Sequence, residues 1–310
     1  MVLRDSWGRP LLNLRIAVTH LCNLNCPYCH KEGETSPFDA GEMSAEEIAR
    51  IVGIAVRLGV SKVKITGGEP LIRRDITGIV QKIAKTPGLA ELSMTTNGTR
   101  LAGLAKELHE SGLKRVNISL PTLDENVYSA LTGGRLEDAL EGAKAAVNAG
   151  FNPVKINMLI LKGVNDGSVL EMMDFAGKMG AVLQLIELEP LNVDMAYYNA
   201  HHKVLDEYEA MLQRKAVRTE TRRYMQSRRV YHLPQVTVEV VHPIENTSFC
   251  ANCTRLRLTS DGKLKPCLMR NDNLVDILTP MRNGATDEEL MEIFKHANQL
   301  RQPYNQIKAQ

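Results

Sequence analysis

The sequence lacks a long hydrophobic run and an excess of charge of either sign. No apolar stretch in its 310 residues reaches the roughly 18–20 residues that a membrane span needs, so we expect no membrane partner. The 38 Lys and Arg residues against 36 Asp and Glu leave a formal charge of +2, which gives no general attraction for nucleic acid. Arg4 and Asp5 stand where a signal peptide would place its apolar core. These absences predict a cytoplasmic protein.

A P-loop motif, G-x-x-x-x-G-K-[ST], is also absent, so a nucleotide triphosphate would have to be held in another way. The composition is otherwise that of a globular protein, with 44% hydrophobic and 24% charged residues. It excludes disorder, collagen and coiled coil as descriptions of the whole chain.

Strand-like and helix-like segments alternate from Leu14 to about Pro190, as βα units require. The predicted strands are Leu14–Val18, Lys62–Ile65, Glu91–Thr95, Arg115–Ser119, Val154–Leu159 and Val182–Glu187. The predicted helices are Met43–Leu58, Ile76–Lys85, Leu101–Ser111, Leu136–Ala149 and Val169–Lys178. This alternation predicts an α/β fold with a parallel sheet, and both a doubly wound sheet and a partial barrel satisfy it.

The pattern changes after Pro190, which predicts a βα domain at 1–190 and a C-terminal extension at 191–310. The basic stretch Arg214–Arg229 is expected to be a solvated helix face or loop rather than a binding surface. Further predictions are a strand at Val236–Val241, a hairpin of Thr254–Ser260 and Lys263–Leu268 around Asp261-Gly262, and a last helix at Asp287–Leu300.

The six cysteines form two triplets, which favours metal binding or redox chemistry over disulfides in a cytoplasmic chain. Cys22-x3-Cys26-x2-Cys29 follows the first predicted strand. Three thiolates on a short loop can hold three corners of an iron–sulfur cubane and leave one iron open for a small molecule. The alternative is a zinc site completed by a neighbouring histidine, either His20 or His30.

The second triplet is Cys250-x2-Cys253-x13-Cys267. It is either a second cluster with an open iron or a small zinc ribbon, whose fourth ligand could only be the distant His242. Arg255 and Arg257 share a face of the strand that follows Cys253, since side chains alternate along a strand. Two guanidinium groups there indicate an anionic substrate or, equally, surface charge on a hairpin.

The first triplet resembles the signature of the radical S-adenosylmethionine (SAM) enzymes, because an aromatic residue, Tyr28, precedes the last cysteine. Thr66-Gly67-Gly68-Glu69-Pro70 resembles the GGEP motif of that family, and Ser119 ends the fourth strand where the family has a polar contact to SAM. The resemblance implies a partial (β/α)6 barrel of the radical SAM type. It also implies a [4Fe–4S] cluster that reductively cleaves SAM to a radical, which removes a hydrogen atom from the substrate.

The second triplet with Thr254-Arg255-Leu256-Arg257 resembles one branch, the GTP 3′,8-cyclases of molybdenum cofactor biosynthesis, over nearly the whole chain. This resemblance implies SAM, two [4Fe–4S] clusters and a C-terminal extension that carries the second cluster and closes the barrel. The implied cluster ligands are Cys22, Cys26, Cys29, Cys250, Cys253 and Cys267. The implied SAM-binding residues are Tyr28, Gly68, Glu69, Ser119 and Glu189. The implied GTP-binding residues are Arg15, Lys64, Thr95, Lys155, Arg255 and Arg257.

The implied enzyme is a lyase that converts GTP to (8S)-3′,8-cyclo-7,8-dihydroguanosine 5′-triphosphate in the first step of molybdenum cofactor (molybdopterin) biosynthesis. A low-potential electron donor and a downstream cyclic pyranopterin monophosphate synthase are the implied partners. The sequence leaves the oligomeric state open, a homodimer included. The alternatives are a radical SAM enzyme with an auxiliary cluster that modifies a peptide or another substrate, and a zinc-stabilised binding module.

Three features depart from the pattern of the GTP 3′,8-cyclase family. The chain ends in Ile307-Lys308-Ala309-Gln310 where the family commonly has paired glycines. Lys64 and Gln184 stand where the family commonly has arginine. A change from arginine to lysine loses bidentate phosphate contact but retains the charge. The missing glycines are the more serious departure, and they indicate either a divergent lineage with its own terminus or a paralogue with an altered substrate.

Overall fold

The βα repeat forms the centre of the structure. A computed structural model describes residues 2–34 and 41–304, so the predicted departure at 307–310 lies outside the described residues. The strands of the repeat are β1 (Asn13–Ala17), β2 (Lys62–Thr66), β3 (Glu91–Thr96), β4 (Arg115–Ser119), β5 (Val154–Ile160) and β6 (Val182–Glu187). The helices are α1 (Ala45–Arg57), α2 (Ile76–Ala84), α3 (Ala105–Glu110), α4 (Glu125–Thr132), α5 (Leu136–Asn148) and α6 (Val169–Lys178). All six predicted strands and all five predicted helices are confirmed.

Helix α4 is the element of the repeat that the sequence pattern missed. It has eight residues, and its signals are confined to its two ends. Asp124 accepts a hydrogen bond from the Val127 amide, and Gly133 ends the helix in a left-handed conformation with φ of +74°. Two helical turns form an apolar stripe that is too short to produce a recognisable helical periodicity in the sequence.

Residues 191–304 add strands to both edges of the sheet. Their elements are α7 (Met195–His201), α8 (Asp206–Lys215), β7 (Arg218–Arg222), β8 (Arg228–His232), β9 (Thr237–Val241), α9 (Thr247–Ala251), β10 (Arg255–Leu258), β11 (Lys263–Lys265), β12 (Val275–Asp276), α10 (Leu278–Arg282) and α11 (Asp287–Gln299). The strand order is β12-β11-β10-β1-β2-β3-β4-β5-β6-β9-β8-β7. Strand β10 pairs parallel to β1, and β9 pairs parallel to β6. The predicted hairpin is confirmed as the antiparallel pair β10 and β11.

The basic stretch at 214–229 differs from its expected form. It is not a solvated helix face or loop throughout. The stretch begins at the end of α8, continues through β7 and ends in β8, and the two strands pair as an antiparallel hairpin. The loop of this hairpin contacts the segment before β10, at the other side of the sheet. Thr254 Oγ1 donates a hydrogen bond to the Tyr224 carbonyl at 2.8 Å, and the Gln226 amide donates one to the Asn252 carbonyl at 3.2 Å. The sheet therefore curls towards a barrel around an interior space.

The residue pattern of β1 explains why this interior is polar. Leu14 and Ile16 are buried in the hydrophobic core that the sheet shares with the helices. Arg15, between them, points to the opposite face because side chains alternate along a strand. Within the described ranges 2–34 and 41–304, none of the helices has both the length and the apolar character needed to cross a membrane.

Candidate active site

A cavity of about 620 Å³ occupies the concave side of the sheet. Both cysteine triplets lie at its wall, together with inward-facing residues of the parallel strands. Every candidate residue predicted from the sequence lines it: Arg15, Cys22, Cys26, Tyr28, Cys29, Lys64, Gly68, Glu69, Thr95, Ser119, Lys155, Glu189, Cys250, Cys253, Arg255, Arg257 and Cys267. The fold thus brings the two ends of the chain to one site.

The first triplet lies on the loop that follows β1. The Cys29 amide donates a hydrogen bond to the Cys26 carbonyl at 3.1 Å. The Leu24 and Lys31 amides point at the Sγ atoms of Cys22 and Cys29, each at 3.4 Å. Burial raises the pKa of the Cys26 thiol to about 11. A bound metal would offset this burial cost, because a coordinating thiol is deprotonated by the metal's own charge.

The sulfur atoms of the two triplets are not gathered as closely as a single zinc ion requires. A tetrahedral zinc site with Zn–S bonds of about 2.3 Å brings its sulfurs to about 3.8 Å from one another. In neither cysteine triplet, all of whose members are described, do the three Sγ atoms lie mutually within 4.8 Å. A cubane does not require so close an approach, because each thiolate binds a different iron.

The candidate histidine ligands of a zinc site have other contacts. His30 Nδ1 accepts a hydrogen bond from the Glu32 amide at 3.0 Å. His20 Nδ1 lies 3.7 Å from a carboxylate oxygen of Glu42. His242 Nε2 lies 3.4 Å from a carboxylate oxygen of buried Glu187. Each of these histidines therefore has a partner within the protein at one ring nitrogen.

The Gly67-Gly68-Glu69 turn packs directly against the backbone that leads into the first triplet. The amides of Gly68 and Glu69 donate hydrogen bonds to the carbonyls of Thr19 and Leu21 at 2.8 and 2.7 Å. A Cβ atom at Gly68 would lie 2.1 Å from the Leu21 carbonyl oxygen, so only glycine allows this approach. The turn and the cysteine loop consequently form one unit.

Glu69 and Glu189 place carboxylates at the cavity wall. Glu69 accepts hydrogen bonds from Thr96 Oγ1 at 2.7 Å, the Asn97 amide at 2.7 Å and the Leu71 amide at 3.0 Å. Burial nevertheless raises its pKa to about 7. Glu189 Oε2 is buried and has no hydrogen-bond partner within residues 2–34 and 41–304. A buried polar atom without a partner is costly, so a ligand with a donor group fits this position.

The candidate phosphate-binding cations form a row across the sheet. Arg257 on β10, Arg15 on β1 and Lys64 on β2 share one register position on three adjacent parallel strands. Register partners project from the same face of a sheet, so the three positive groups lie side by side at the cavity.

Two carboxylates that the sequence analysis missed partly neutralise these cations. Glu32 lies between Arg15 and Arg257, with oxygen–nitrogen distances of 3.3 and 2.6 Å. Glu239 on β9 forms a close ion pair with Lys155. Burial opposes the ionisation of both carboxyls, but the adjacent cations outweigh burial and lower the pKa of each below its usual range. Glutamate in a loop or on an alternating strand gives no sequence signal of such contacts.

Arg222 and Arg228 also face Glu239, at 3.3 and 3.4 Å. Both line the cavity and belong to the basic stretch that was expected to be solvated, so that expectation was wrong for them. The hairpin of β7 and β8 turns these side chains inwards because β8 pairs with β9, which carries Glu239. The row of cations is thereby longer than the sequence indicated.

Lys64 and Arg255 have no carboxylate in ion-pair contact among the described residues. Burial lowers the pKa of Lys64 well below its usual range, and the nearby cations Arg15, Lys155, Arg115 and Arg255 lower it further. Burial and neighbouring arginines have the same effect on the pKa of Arg255. Unbalanced positive charge at this point favours a bound anion.

The second triplet is anchored by buried arginines from both ends of the chain. Arg9 Nη1 donates a hydrogen bond to the Cys250 carbonyl at 2.9 Å, and Arg301 Nη2 donates one to the Cys253 carbonyl at 2.5 Å. Asp5 lies between the two arginines, at 2.8 Å from Arg9 and 3.5 Å from Arg301. Burial opposes ionisation of the Cys253 thiol, but Arg301, Arg255 and Arg9 outweigh burial and lower its pKa.

Comparison with known families agrees with this geometry. Residues 16–176 match the sequence profile of the Radical SAM superfamily, and residues 181–307 match the profile described as Molybdenum Cofactor Synthesis C. A solved structure, "Native anSMEcpe with bound AdoMet", superposes with a TM-score of 0.65 over 94% of this chain and 84% of that chain. At 18% sequence identity this likeness is one of fold. The fold is that of a radical SAM protein.

Two curated relatives are much more similar in sequence. The "Probable GTP 3′,8-cyclase" of Thermococcus kodakarensis is 50% identical over 98% of this chain and 99% of its own length. The protein of the same name from Pyrococcus horikoshii is 50% identical over 98% of both chains. The chain therefore belongs to the GTP 3′,8-cyclase family within the radical SAM superfamily.

Proposed function

We propose that the protein is a radical SAM GTP 3′,8-cyclase, a lyase that forms (8S)-3′,8-cyclo-7,8-dihydroguanosine 5′-triphosphate from GTP in molybdenum cofactor biosynthesis. One observation carries the proposal: two cysteine triplets and a row of cations line the same cavity. This arrangement suits a reaction in which an anionic nucleotide is held next to a radical source. No specific observation favours the peptide-modifying alternative, because the likeness to solved structures is one of fold alone.

In this proposal Cys22, Cys26 and Cys29 hold one [4Fe–4S] cluster and Cys250, Cys253 and Cys267 hold a second. When bound, the first cluster and SAM supply the radical that removes a hydrogen atom from the nucleotide. The chain's own residues bind and orient the reactants. Tyr28, Gly68, Glu69, Ser119 and Glu189 would bind SAM.

The residues proposed for GTP are Arg15, Lys64, Thr95, Lys155, Arg255 and Arg257. Their cations replace the missing P-loop, since several positive groups can hold a triphosphate that no backbone loop cradles. Arg222 and Arg228 extend the same positive surface. The carboxylates Glu32 and Glu239 hold part of this surface in place before substrate arrives, because unpaired buried charges repel one another.

The direct test is anaerobic reconstitution with iron and sulfide, followed by addition of SAM, dithionite and GTP. We expect about eight irons per chain, formation of 5′-deoxyadenosine and a cyclised guanine nucleotide. A reaction without GTP is the control for uncoupled SAM cleavage. Formation of 5′-deoxyadenosine with no nucleotide product would refute the cyclase assignment, and an iron-poor protein after loading would refute the radical mechanism.

The remaining predictions concern partners and location. A low-potential electron donor is required because reductive SAM cleavage consumes an electron. A downstream cyclic pyranopterin monophosphate synthase would consume the product. The homodimer, the cytoplasmic location and the division of the chain at residue 190 remain predictions.

A further inference from the structure

Glu32 occupies the position in the cation row where an anionic substrate would bind. Its two carboxylate oxygens contact different arginines, Arg15 Nη1 at 3.3 Å and Arg257 Nη1 at 2.6 Å. Thr66 Oγ1 donates a further hydrogen bond to Oε1 at 2.8 Å. Both oxygens are therefore engaged by donors that lie on adjacent strands and face the cavity.

The backbone around Glu32 holds this carboxylate in place. Lys31, Glu32 and Gly33 have φ angles of +48°, +50° and +75°, three consecutive left-handed residues of which two are not glycine. Such a turn persists only where its surroundings fix it. The His30 side chain accepts from the Glu32 amide at 3.0 Å, and a Cβ atom at Gly33 would lie 2.8 Å from the Leu268 carbonyl oxygen.

The neighbouring cations differ in whether they already have a carboxylate partner. Arg15 and Arg257 are paired through Glu32, whereas Lys64 and Arg255 have no carboxylate contact among the described residues. A ligand that carries little charge can bind at Lys64 and Arg255 and leave the arginines with Glu32. A ligand with more phosphate groups can also take the two arginines, provided that it displaces the carboxylate.

We propose that Glu32 is an internal competitor for the phosphate site, which occupies Arg15 and Arg257 in the absence of nucleotide and which a triphosphate displaces. The contact opposes anion binding, because a competing anion must compensate for the charge-assisted hydrogen bonds that Glu32 loses. This cost falls on a ligand that takes the two arginines and not on one that binds only at Lys64 and Arg255. The inference rests on the proposed GTP-binding function and deepens it.

The test measures binding, so it does not depend on turnover. Anaerobic isothermal titration calorimetry on cluster-loaded protein would give dissociation constants for GTP, GDP and inorganic tripolyphosphate. In Glu32→Gln we expect GTP and tripolyphosphate to bind about tenfold more tightly than in the unsubstituted protein. We expect a smaller gain for GDP, because GDP binds at Lys64 and Arg255 without displacing Glu32, so that the preference for GTP over GDP grows.

Two further variants make the result decisive. Glu32→Gly removes the carboxylate and suits the left-handed backbone, so it should reproduce the gain if the glutamine variant folds poorly. Asp287→Asn removes the same charge from a carboxylate between two arginines, Arg50 and Arg57, that do not line the cavity, and should leave the affinities unchanged.

Weaker or unchanged binding of GTP and tripolyphosphate in both Glu32 variants would overturn the inference, since a purely organising carboxylate gives that result. An unchanged or smaller preference for GTP over GDP would overturn it as well. Failure of the unsubstituted protein to bind GTP, with tripolyphosphate still bound, would instead refute the proposed substrate.

Discussion

Lys64 Nζ donates a hydrogen bond to Asn117 Oδ1 over 2.9 Å, and Asn117 links Lys64 to Gln184. Asn117 Nδ2 donates in turn to Gln184 Oε1 at 2.8 Å. Lys64 and Gln184 are the two strand positions at which the sequence analysis expected the chain to differ from the family pattern. Here a neutral amide pair supports a lysine, so the two positions belong to one hydrogen-bonded unit.

Lys64 should take up a proton when GTP binds. Burial and neighbouring cations lower its pKa in the free protein, and the triphosphate charge would raise it again. The affinity for GTP should therefore fall as the pH rises through the lowered pKa, where free Lys64 loses its charge. Calorimetry in buffers of different ionisation enthalpy should detect uptake of up to about one proton per GTP in this range.

Lys64→Arg should remove this proton uptake, because a guanidinium stays charged at these pH values. Lys178→Arg, at an exposed lysine paired with Asp174, is the matched control and should leave the uptake unchanged. Equal uptake in Lys64→Arg and the unsubstituted protein would assign the proton to another group.

Gly68→Ala should weaken both the fold and the binding of SAM. The added methyl group would lie 2.1 Å from the Leu21 carbonyl oxygen, and backbone atoms cannot move aside as a flexible side chain can. We expect the free energy of unfolding to fall by about 1–3 kcal/mol, measured by denaturant titration. Gly78→Ala, in α2 with open space around the site, should stabilise the protein by up to about 1 kcal/mol. A neutral Gly68→Ala would show that the turn is not packed as described.

Asp5→Asn should destabilise the protein and loosen the second triplet. Asp5 is fully buried between Arg9 and Arg301, and its loss would leave two buried charges unbalanced. Loss of one member of such a network costs about 3–5 kcal/mol, which thermal or chemical unfolding can measure.

Because Arg9 and Arg301 hold the Cys250 and Cys253 carbonyls, Asp5→Asn should also lower the iron retained at that triplet. Asp174→Asn disrupts an exposed pair with Lys178 and should cost less than about 0.5 kcal/mol with no loss of iron. If the destabilised Asp5→Asn variant retained all of its iron, the network of Asp5, Arg9 and Arg301 would not be needed to hold metal at the second triplet.

The two triplets should contribute different activities. Cys253→Ala should lower the iron content from about eight to about four per chain and abolish cyclisation, yet leave some reductive cleavage of SAM. Cys26→Ala should abolish both, because the first triplet adjoins the Gly-Gly-Glu turn. Iron analysis with chromatography of 5′-deoxyadenosine and nucleotides separates the outcomes. Cyclisation by Cys253→Ala would exclude a role for the second triplet.

The strands of the repeat could be predicted closely because their pattern is local. At Arg115–Ser119, for example, the β-rich run is bounded by turn residues, and the predicted and observed limits agree. The role of Arg222 and Arg228 could not be predicted in this way. Whether a basic residue faces solvent or Glu239 depends on which strand pairs with β8, and nothing in the stretch itself specifies that partner.

The sequence by itself determined the chemistry available to this protein: two sets of three thiols, a Gly-Gly-Glu turn and lysines and arginines on strands that are otherwise apolar. Short-range spacing and alternation encode such features, since neighbours in the chain are neighbours in space. Only the tertiary structure decided that Glu32 lies between Arg15 and Arg257 and that Arg9 and Arg301 meet at Asp5. The Glu32–Arg257 and Asp5–Arg301 contacts join opposite ends of the chain, and the curling of one continuous sheet, rather than any local preference, brings these residues together.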